Sequence, residues 1–375
     1  MALALYRKYR PKLLSDLIGQ EMNVDLLKNA ARQNRLGHAY LFYGSRGTGK
    51  TTTARLIAKL LNCERRHTDP KFAQLGEPCN ECNSCKEIDS NSSFDVIEID
   101  AASNRGIDEI RNIKDSIKSA PVGGRYKVYI IDEVHMLTGA AFNALLKTLE
   151  EPPTHAVLVL ATTEYEKLPA TITSRVQRFL FKKQPKTKIM EKLAAIAKAE
   201  KIDIEPAALE LVAAAGEGSF RDAESLLDQI ASLASPTSEG GFGSINLEIA
   251  ERLTGRVGLK KVEEFASLII KNDLKGALDY LATINEEGHN LVQLVKDLIH
   301  YLRKVLSLKL NPGLESIFQS ELTSDEIVKL KKLAMEADVQ KTIKLIKSFI
   351  RAYSEMRYSP FAIVPLEVCI AENLS

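Results

Sequence analysis

Gly44-Ser45-Arg46-Gly47-Thr48-Gly49-Lys50-Thr51 decides the reading of this chain. It fits the phosphate-loop pattern G-x-x-x-x-G-K-[ST] at every position. A short apolar run, Leu41-Phe42-Tyr43, precedes it, and a helix-like stretch from Thr52 to Leu61 follows. Glycines let backbone N–H groups curl around phosphate oxygens, and the start of a helix adds positive potential. Those residues and Thr52 are the expected nucleotide-binding set. Lys50 is expected to reach the β- and γ-phosphates, and the Thr51 hydroxyl to ligate Mg²⁺.

Further along, Val128-Tyr129-Ile130-Ile131-Asp132-Glu133 reads as an apolar strand ending in two carboxylates. A strand tip places Asp132 beside the loop, where it can hold Mg²⁺ directly or through water. Glu133 is placed to orient or deprotonate the attacking water. The two motifs jointly imply ATP or GTP hydrolysis. The sequence carries no guanine-reading Asn-Lys-x-Asp tetrad, which favours ATP.

The flanking pattern sets the architecture. Leu41–Tyr43, Val96–Ile99, Val128–Ile131, Ala156–Leu160 and Phe179–Phe181 are apolar strand-like runs separated by helix-like pieces. Nearly continuous apolar strands of this kind predict a parallel sheet covered by helices on both faces. After Gln184-Pro185 the strand signals stop, and 187–200 and 205–234 read as helices. Ser235 to Ser244 reads as a turn-rich linker. Beyond it, Leu291, Leu294, Val295, Leu298, Leu302 and Val305 recur at helical spacing, and Thr323 with Glu326 suggests a capping box. The expected domains are an α/β domain at 1–180 with an insertion at about 63–90, a small helical domain at 181–243, and a helical domain at 244–375.

The 375 residues carry 45% hydrophobic and 27% charged side chains, as soluble globular chains do. A mostly disordered chain is excluded, and no apolar run approaches the length of a membrane span. No export signal is read at the N-terminus. The net charge of +2 is too balanced to name a partner, so any nucleic-acid surface has to be local.

Four of the five cysteines, Cys63, Cys79, Cys82 and Cys85, are spaced C-x15-C-x2-C-x2-C. Two-residue gaps let thiolates converge on one ion, and four sulfurs suit a closed, structural Zn²⁺ site. The alternatives are two disulfides or four ordinary thiols; the first conflicts with an unexported chain and the second with the polar, turn-rich setting. His67 is either a substitute ligand or an exposed loop residue. Cys369, in an apolar stretch, is expected in a core.

With these features on the page, the chain resembles the bacterial DNA polymerase III gamma/tau subunits, the clamp-loader ATPases of the AAA+ class. The resemblance rests on Tyr6-Arg7-Lys8-Tyr9-Arg10-Pro11, Leu17-Ile18-Gly19-Gln20, His38-Ala39-Tyr40-Leu41-Phe42, the phosphate loop and the cysteine set. It continues through Asp100-Ala101-Ala102-Ser103, Leu146–Pro153, Leu160-Ala161-Thr162-Thr163, Ser174-Arg175 and Gly218-Ser219-Phe220-Arg221-Asp222-Ala223. It implies an AAA+ core, a helical lid and a helical oligomerisation collar. It implies that Thr163, or else Thr162, senses the γ-phosphate or the water. Arg221 would be the second sensor on the lid, and Arg175 the arginine finger offered to a neighbour's ATP. Arg7, Arg10 and Pro11 would line the adenine and ribose side. That family reads Ser-Arg-Cys where this chain has Ser174-Arg175-Val176, a change that touches packing and not charge.

The same resemblance implies an ATP-driven subunit that loads a sliding clamp onto primer–template DNA, without a polymerase active site of its own. The implied partners are other clamp-loader subunits in a hetero-oligomeric ring, the clamp and DNA, and the implied location is the bacterial cytoplasm at the nucleoid and replisome. The rival is another AAA+ DNA-remodelling ATPase, a helicase loader or branch-migration motor. Ser103-Asn104-Arg105 with Arg111, Lys114 and Lys118 either faces DNA phosphates or is the solvated face of a helix whose apolar face is Ile107, Ile110, Ile113 and Ile117. A longer family form carries further C-terminal domains, whose activities are not expected of these residues.

Overall fold

The computed structural model describes residues 3–104, 106, 113, 115–233, 242–318, 322 and 324–374. It divides into two compact units, Tyr6–Gln184 and the residues from Pro185 onward together with the start of the chain up to Leu5.

The first unit is built on five parallel strands: β1 (Ala39–Gly44), β2 (Val96–Asp100), β3 (Lys127–Asp132), β4 (Ala156–Thr162) and β5 (Gln177–Phe181). Their order is β2-β3-β4-β1-β5. Side chains alternate between the faces of a strand, so a sheet covered on both sides needs apolar residues at every position. Tyr40, Phe42, Val128, Ile130, Val157, Val159 and Ala161 pack on one face with Ala54, Ile57 and Leu61 of the helix Lys50–Asn62. Leu41, Tyr129, Ile131, Leu158 and Leu160 pack on the other with Phe142, Leu145 and Leu149 of the helix Gly139–Glu150. Each fully buried side chain of this kind contributes about 1.5–3 kcal/mol relative to exposure. Parallel pairing sets Tyr43 beside Thr162 and Asp100 beside Asp132, so the C-terminal ends of the central strands gather the site on one edge.

The second unit is mainly helical. The helices Lys186–Glu200, Pro206–Ala215 and Phe220–Leu233 come first. Farther on, Leu291–Leu310 buries Leu291, Leu294, Val295, Leu298, Leu302 and Val305 on the face the spacing predicted. Cys369 is buried in the same core. Thr323 lies outside the described residues, as do 235–241.

Strand structure does not stop at 185: β6 (Ile202–Ile204) pairs in parallel with β7 (Phe242–Ile245), so residues 242–244 belong to a strand and not to a linker. A three-residue strand is too short to print an alternating pattern, and Gly-Phe-Gly-Ser reads locally as a turn.

Candidate nucleotide site and cysteine cluster

The phosphate loop is shaped by backbone that only glycine adopts easily. Gly44, Gly47 and Gly49 have φ of +135°, +70° and +103°. A Cβ on Gly44 would stand 2.1 Å from the Phe181 carbonyl oxygen, so β1 and β5 approach too closely there for any side chain. Gly49 caps the helix Lys50–Asn62. The first intrahelical bond runs from Thr53 N to Gly49 O, which leaves the N–H groups of Lys50, Thr51 and Thr52 for an anion. Thr48 Oγ1 donates to Ser45 O at 2.8 Å and braces the turn, while the Arg46 side chain is exposed.

Lys50 is buried, and its Nζ donates to Gly44 O and Ser45 O, both at 2.8 Å. Burial pushes its amine below the ordinary lysine range, against the pull of Glu133 and Asp132. Thr51 Oγ1 donates to Asp132 Oδ2 at 2.7 Å, so the two expected magnesium ligands converge. Glu133 follows with φ +48°, an uncommon backbone for this residue type, held by its own N–H donating to Asp132 Oδ1 at 2.9 Å. Its Oε2 accepts from Thr163 Oγ1 at 2.8 Å and from Thr163 N at 3.2 Å. Thr162 turns away: its hydroxyl is buried against His135 Nδ1 at 2.9 Å and accepts the Glu164 N–H at 3.0 Å.

Arg175 is exposed and paired within the chain. Nε and Nη2 meet Glu150 Oε1 at 2.9 and 2.8 Å, and Nη1 donates to Thr171 O at 2.8 Å. Arg221 lies in the first turn of Phe220–Leu233, in the second unit. Arg7, in the short helix Leu5–Lys8, is exposed and donates to Tyr6 Oη at 3.1 Å. Arg10 N donates to Arg7 O at 3.4 Å, and Pro11 is half-buried.

Residues that the motif reading left out also shape the site. Gln20 Nε2 donates to Lys182 O at 3.0 Å, and Asn23 Nδ2 to Leu180 O at 2.9 Å, tying the N-terminal segment to β5 and the chain just past it. His135 stands against Glu133 and Thr162. Its one local signal is its position two residues past the acidic pair.

The four cysteines form a second cluster, with all four Sγ atoms within 4.8 Å of one another. A tetrahedral ion with Zn–S bonds of about 2.3 Å needs sulfurs about 3.8 Å apart, so a set within 4.8 Å lies within about 1 Å of that spacing and fits zinc. Cys79 and Cys85 sulfurs are 4.0 Å apart and all four are free thiols, which removes the disulfide reading. Cys79 N donates to Cys63 Sγ at 3.3 Å, while Glu81 N and Cys82 N donate to Cys79 Sγ at 3.4 and 3.3 Å. Such donors favour thiolates over thiols, but at Cys79 burial outweighs them and pushes its thiol up. The Cys85 hydrogen bond is the main cause holding Cys63 down to about 4, and the same bond pushes Cys85 up. Buried Lys59 bonds Asn80 Oδ1 at 2.9 Å and Asp89 at 2.5 Å, anchoring the insertion to the phosphate-loop helix. His67 is neither a ligand nor in a loop; it is half-buried in the helix Glu64–Thr68, with Nε2 2.9 Å from Leu61 O.

For the possible DNA helix, Arg105, Ile107, Ile110, Arg111 and Lys114 lie outside the described residues. Ile113 and Ile117 are buried, and exposed Lys118 pairs with Asp115 at 2.9 Å. No helix among the described residues is long and apolar enough to cross a membrane.

The family described as "DNA polymerase III, delta subunit" matches residues 19–185. The clamp loader subunit ATPase lid domain matches 188–235, and domain III of DNA polymerase III subunits gamma and tau matches 245–371. The chain is 42% identical to DNA polymerase III subunit tau of Bacillus subtilis, over 98% of this chain and 62% of that protein. It is 39% identical to subunit tau of Escherichia coli, over 82% of this chain and 46% of that protein. It thus spans roughly half to three fifths of these tau relatives. Thermotoga maritima RuvB, a Holliday junction branch migration motor, aligns with a TM-score of 0.47 at 20% identity, over 70% of this chain and 79% of that one. The subunit gamma of Buchnera aphidicola from Acyrthosiphon pisum is 35% identical over 99% of this chain and 98% of that protein. With that end-to-end match and the gamma/tau domain at its C-terminal side, the chain belongs to the DNA polymerase III gamma/tau family of clamp-loader subunits.

Proposed function

We propose that this chain is the ATP-hydrolysing motor subunit of a bacterial replicative clamp loader, loading the sliding clamp onto primer–template DNA within the DNA polymerase III holoenzyme. The observation that carries it is the convergence of Lys50, Thr51, Asp132, Glu133 and Thr163 at one edge of the sheet. The loop N–H groups and Lys50 would take the β- and γ-phosphates, exchanging the loop carbonyls for phosphate oxygens. Thr51 and Asp132 would hold Mg²⁺, which would supply charge neutralisation on those phosphates. Glu133 would orient the attacking water and draw its proton, and Thr163 would fix Glu133 and report the γ-phosphate. Arg221 would close the lid onto the phosphates. Arg175 would leave Glu150 to reach a neighbour's ATP, stabilising charge on the transferring phosphoryl group. Arg7, Arg10 and Pro11 would line the base.

Cys63, Cys79, Cys82 and Cys85 would hold one structural Zn²⁺ and keep the insertion folded. We assign residues 1–180 to the ATPase core, 181–243 to the lid and 244–375 to the collar that joins the other subunits. The work is done in the cytoplasm, at the replisome.

The test is ATP hydrolysis by the chain assembled with its partner subunits, given clamp and primed DNA separately and together. Stimulation greatest with both is expected. Full stimulation by long duplex without clamp would instead identify a branch-migration motor or helicase loader.

A further inference from the structure

His135 sits in the 3-10 turn Val134–Met136, which starts directly after the strained backbone of Glu133 and closes with Met136 N donating to Glu133 O at 2.9 Å. Its side chain is only 5% exposed, and both ring nitrogens are engaged. Nδ1 is 3.3 Å from Glu133 Oε2 and 2.9 Å from Thr162 Oγ1. Nε2 is 3.2 Å from Glu164 Oε1. Glu164 is itself anchored by Lys167 at 2.8 Å. A carboxylate only accepts, so the ring meets Glu164 and Glu133 favourably together when both of its nitrogens carry N–H, as the imidazolium.

These contacts hold the Glu133 carboxylate in place. Oε2 of Glu133 is already gripped by the hydroxyl and the N–H of Thr163. The imidazole lies against the same oxygen, which would leave Oε1 for the attacking water. The Thr162 hydroxyl, inside the tip of β4, joins the ring to the segment that carries Thr163. A core histidine that merely filled space would need one backbone acceptor. This one spans two carboxylates and two consecutive strand tips.

We propose that His135 is a positioning residue for ATP hydrolysis, acting through Glu133. This rests on the reading of the site as an ATPase centre with Glu133 at the water. Placement to within a fraction of an ångström governs the rate of a water attack, while ATP itself is gripped elsewhere. Loss of the imidazole is therefore felt in kcat and not in KM.

The experiment is a double-mutant cycle on the full chain with its partner subunits, clamp and primed DNA, read as kcat and KM for ATP. The four proteins are wild type, His135→Ala, Glu133→Gln and the double variant, with the slow ones followed by single turnover. His135→Ala is expected to lower kcat roughly tenfold, the scale of losing one charged contact, with KM within about twofold. In the Glu133→Gln background it is expected to cost less than about twofold more. His135→Asn, which keeps a polar group near the Nδ1 position, should recover part of the loss, and it carries the cycle if the alanine variant does not fold. A kcat within about threefold of wild type, or an equal loss in both backgrounds, overturns the proposal. A rise in KM alone also overturns it. If Glu133→Gln by itself hydrolyses ATP normally, the reading of the site fails instead, and the two failures are told apart.

Discussion

The Thr163 hydroxyl donates to Glu133 Oε2 at 2.8 Å, across the gap between the ends of β4 and β3. The pair joins the carboxylate proposed to orient the water to the strand tip that would meet the γ-phosphate. Thr163→Val keeps the shape and the backbone N–H and removes this one bond. The expected result is a kcat lowered roughly tenfold with ATP affinity nearly unchanged. Steady-state kinetics check it, and a loss confined to KM would show that Thr163 only binds.

Gly44 cannot accept a side chain. Its φ of +135° strains any other residue, and the Phe181 carbonyl stands 2.1 Å from where Cβ would be. Gly44→Ala is expected to cost at least about 1–3 kcal/mol of stability and to weaken ATP binding by displacing the loop. Gly139→Ala is the control, since nothing lies within 4 Å of its Cβ position. Thermal unfolding of both variants measures the difference.

Asp95 staples the turn before β3 by accepting from the N–H groups of Val122, Gly123 and Gly124 at 2.7, 2.8 and 2.6 Å. Burial pushes its carboxyl up, but those amides and Lys127 outweigh burial and hold it below the ordinary aspartate range. The stability it contributes is full above the unfolded pKa of about 4 and is lost as pH falls through the lower folded value. Asp95→Asn should therefore be less stable than wild type at neutral pH, with the gap closing toward about pH 3. Denaturant melts at the two pH values check the sign, and a constant gap would contradict it.

Cys82→Ser removes one of four sulfurs. The protein is expected to bind one Zn²⁺ per chain by elemental analysis, and the variant to lose most of it along with protease resistance in residues 63–90. Purified wild-type protein without zinc, or a variant with full metal content, would sink the assignment.

Much of the fold was legible in the sequence because its central strands are buried on both faces and so read as unbroken apolar runs. Leu158 and Val159 point to opposite cores and are both apolar for that reason. The phosphate loop was legible because positive φ at Gly44, Gly47 and Gly49 demands glycine. The short pair β6 and β7 was not, since its few residues carry no period. The preference for Thr163 comes from the resemblance, and local sequence keeps Thr162 as the fallback. Neighbours on a strand point to opposite sides, and which side faces Glu133 depends on where β4 ends. The Arg175–Glu150 and His135–Glu164 pairs are tertiary contacts that no local spacing announces.

The proposed function requires one site that binds ATP through Lys50 and hydrolyses it through Glu133. Equilibrium ATP binding followed by phosphate release, read on the same samples of wild type, Lys50→Ala and Glu133→Gln, tests it most directly. Glu133→Gln should bind ATP within about threefold of wild type yet release phosphate at least roughly a hundredfold more slowly, while Lys50→Ala should lose binding itself. Equal loss of binding in both variants, or normal phosphate release by Glu133→Gln, would contradict the account.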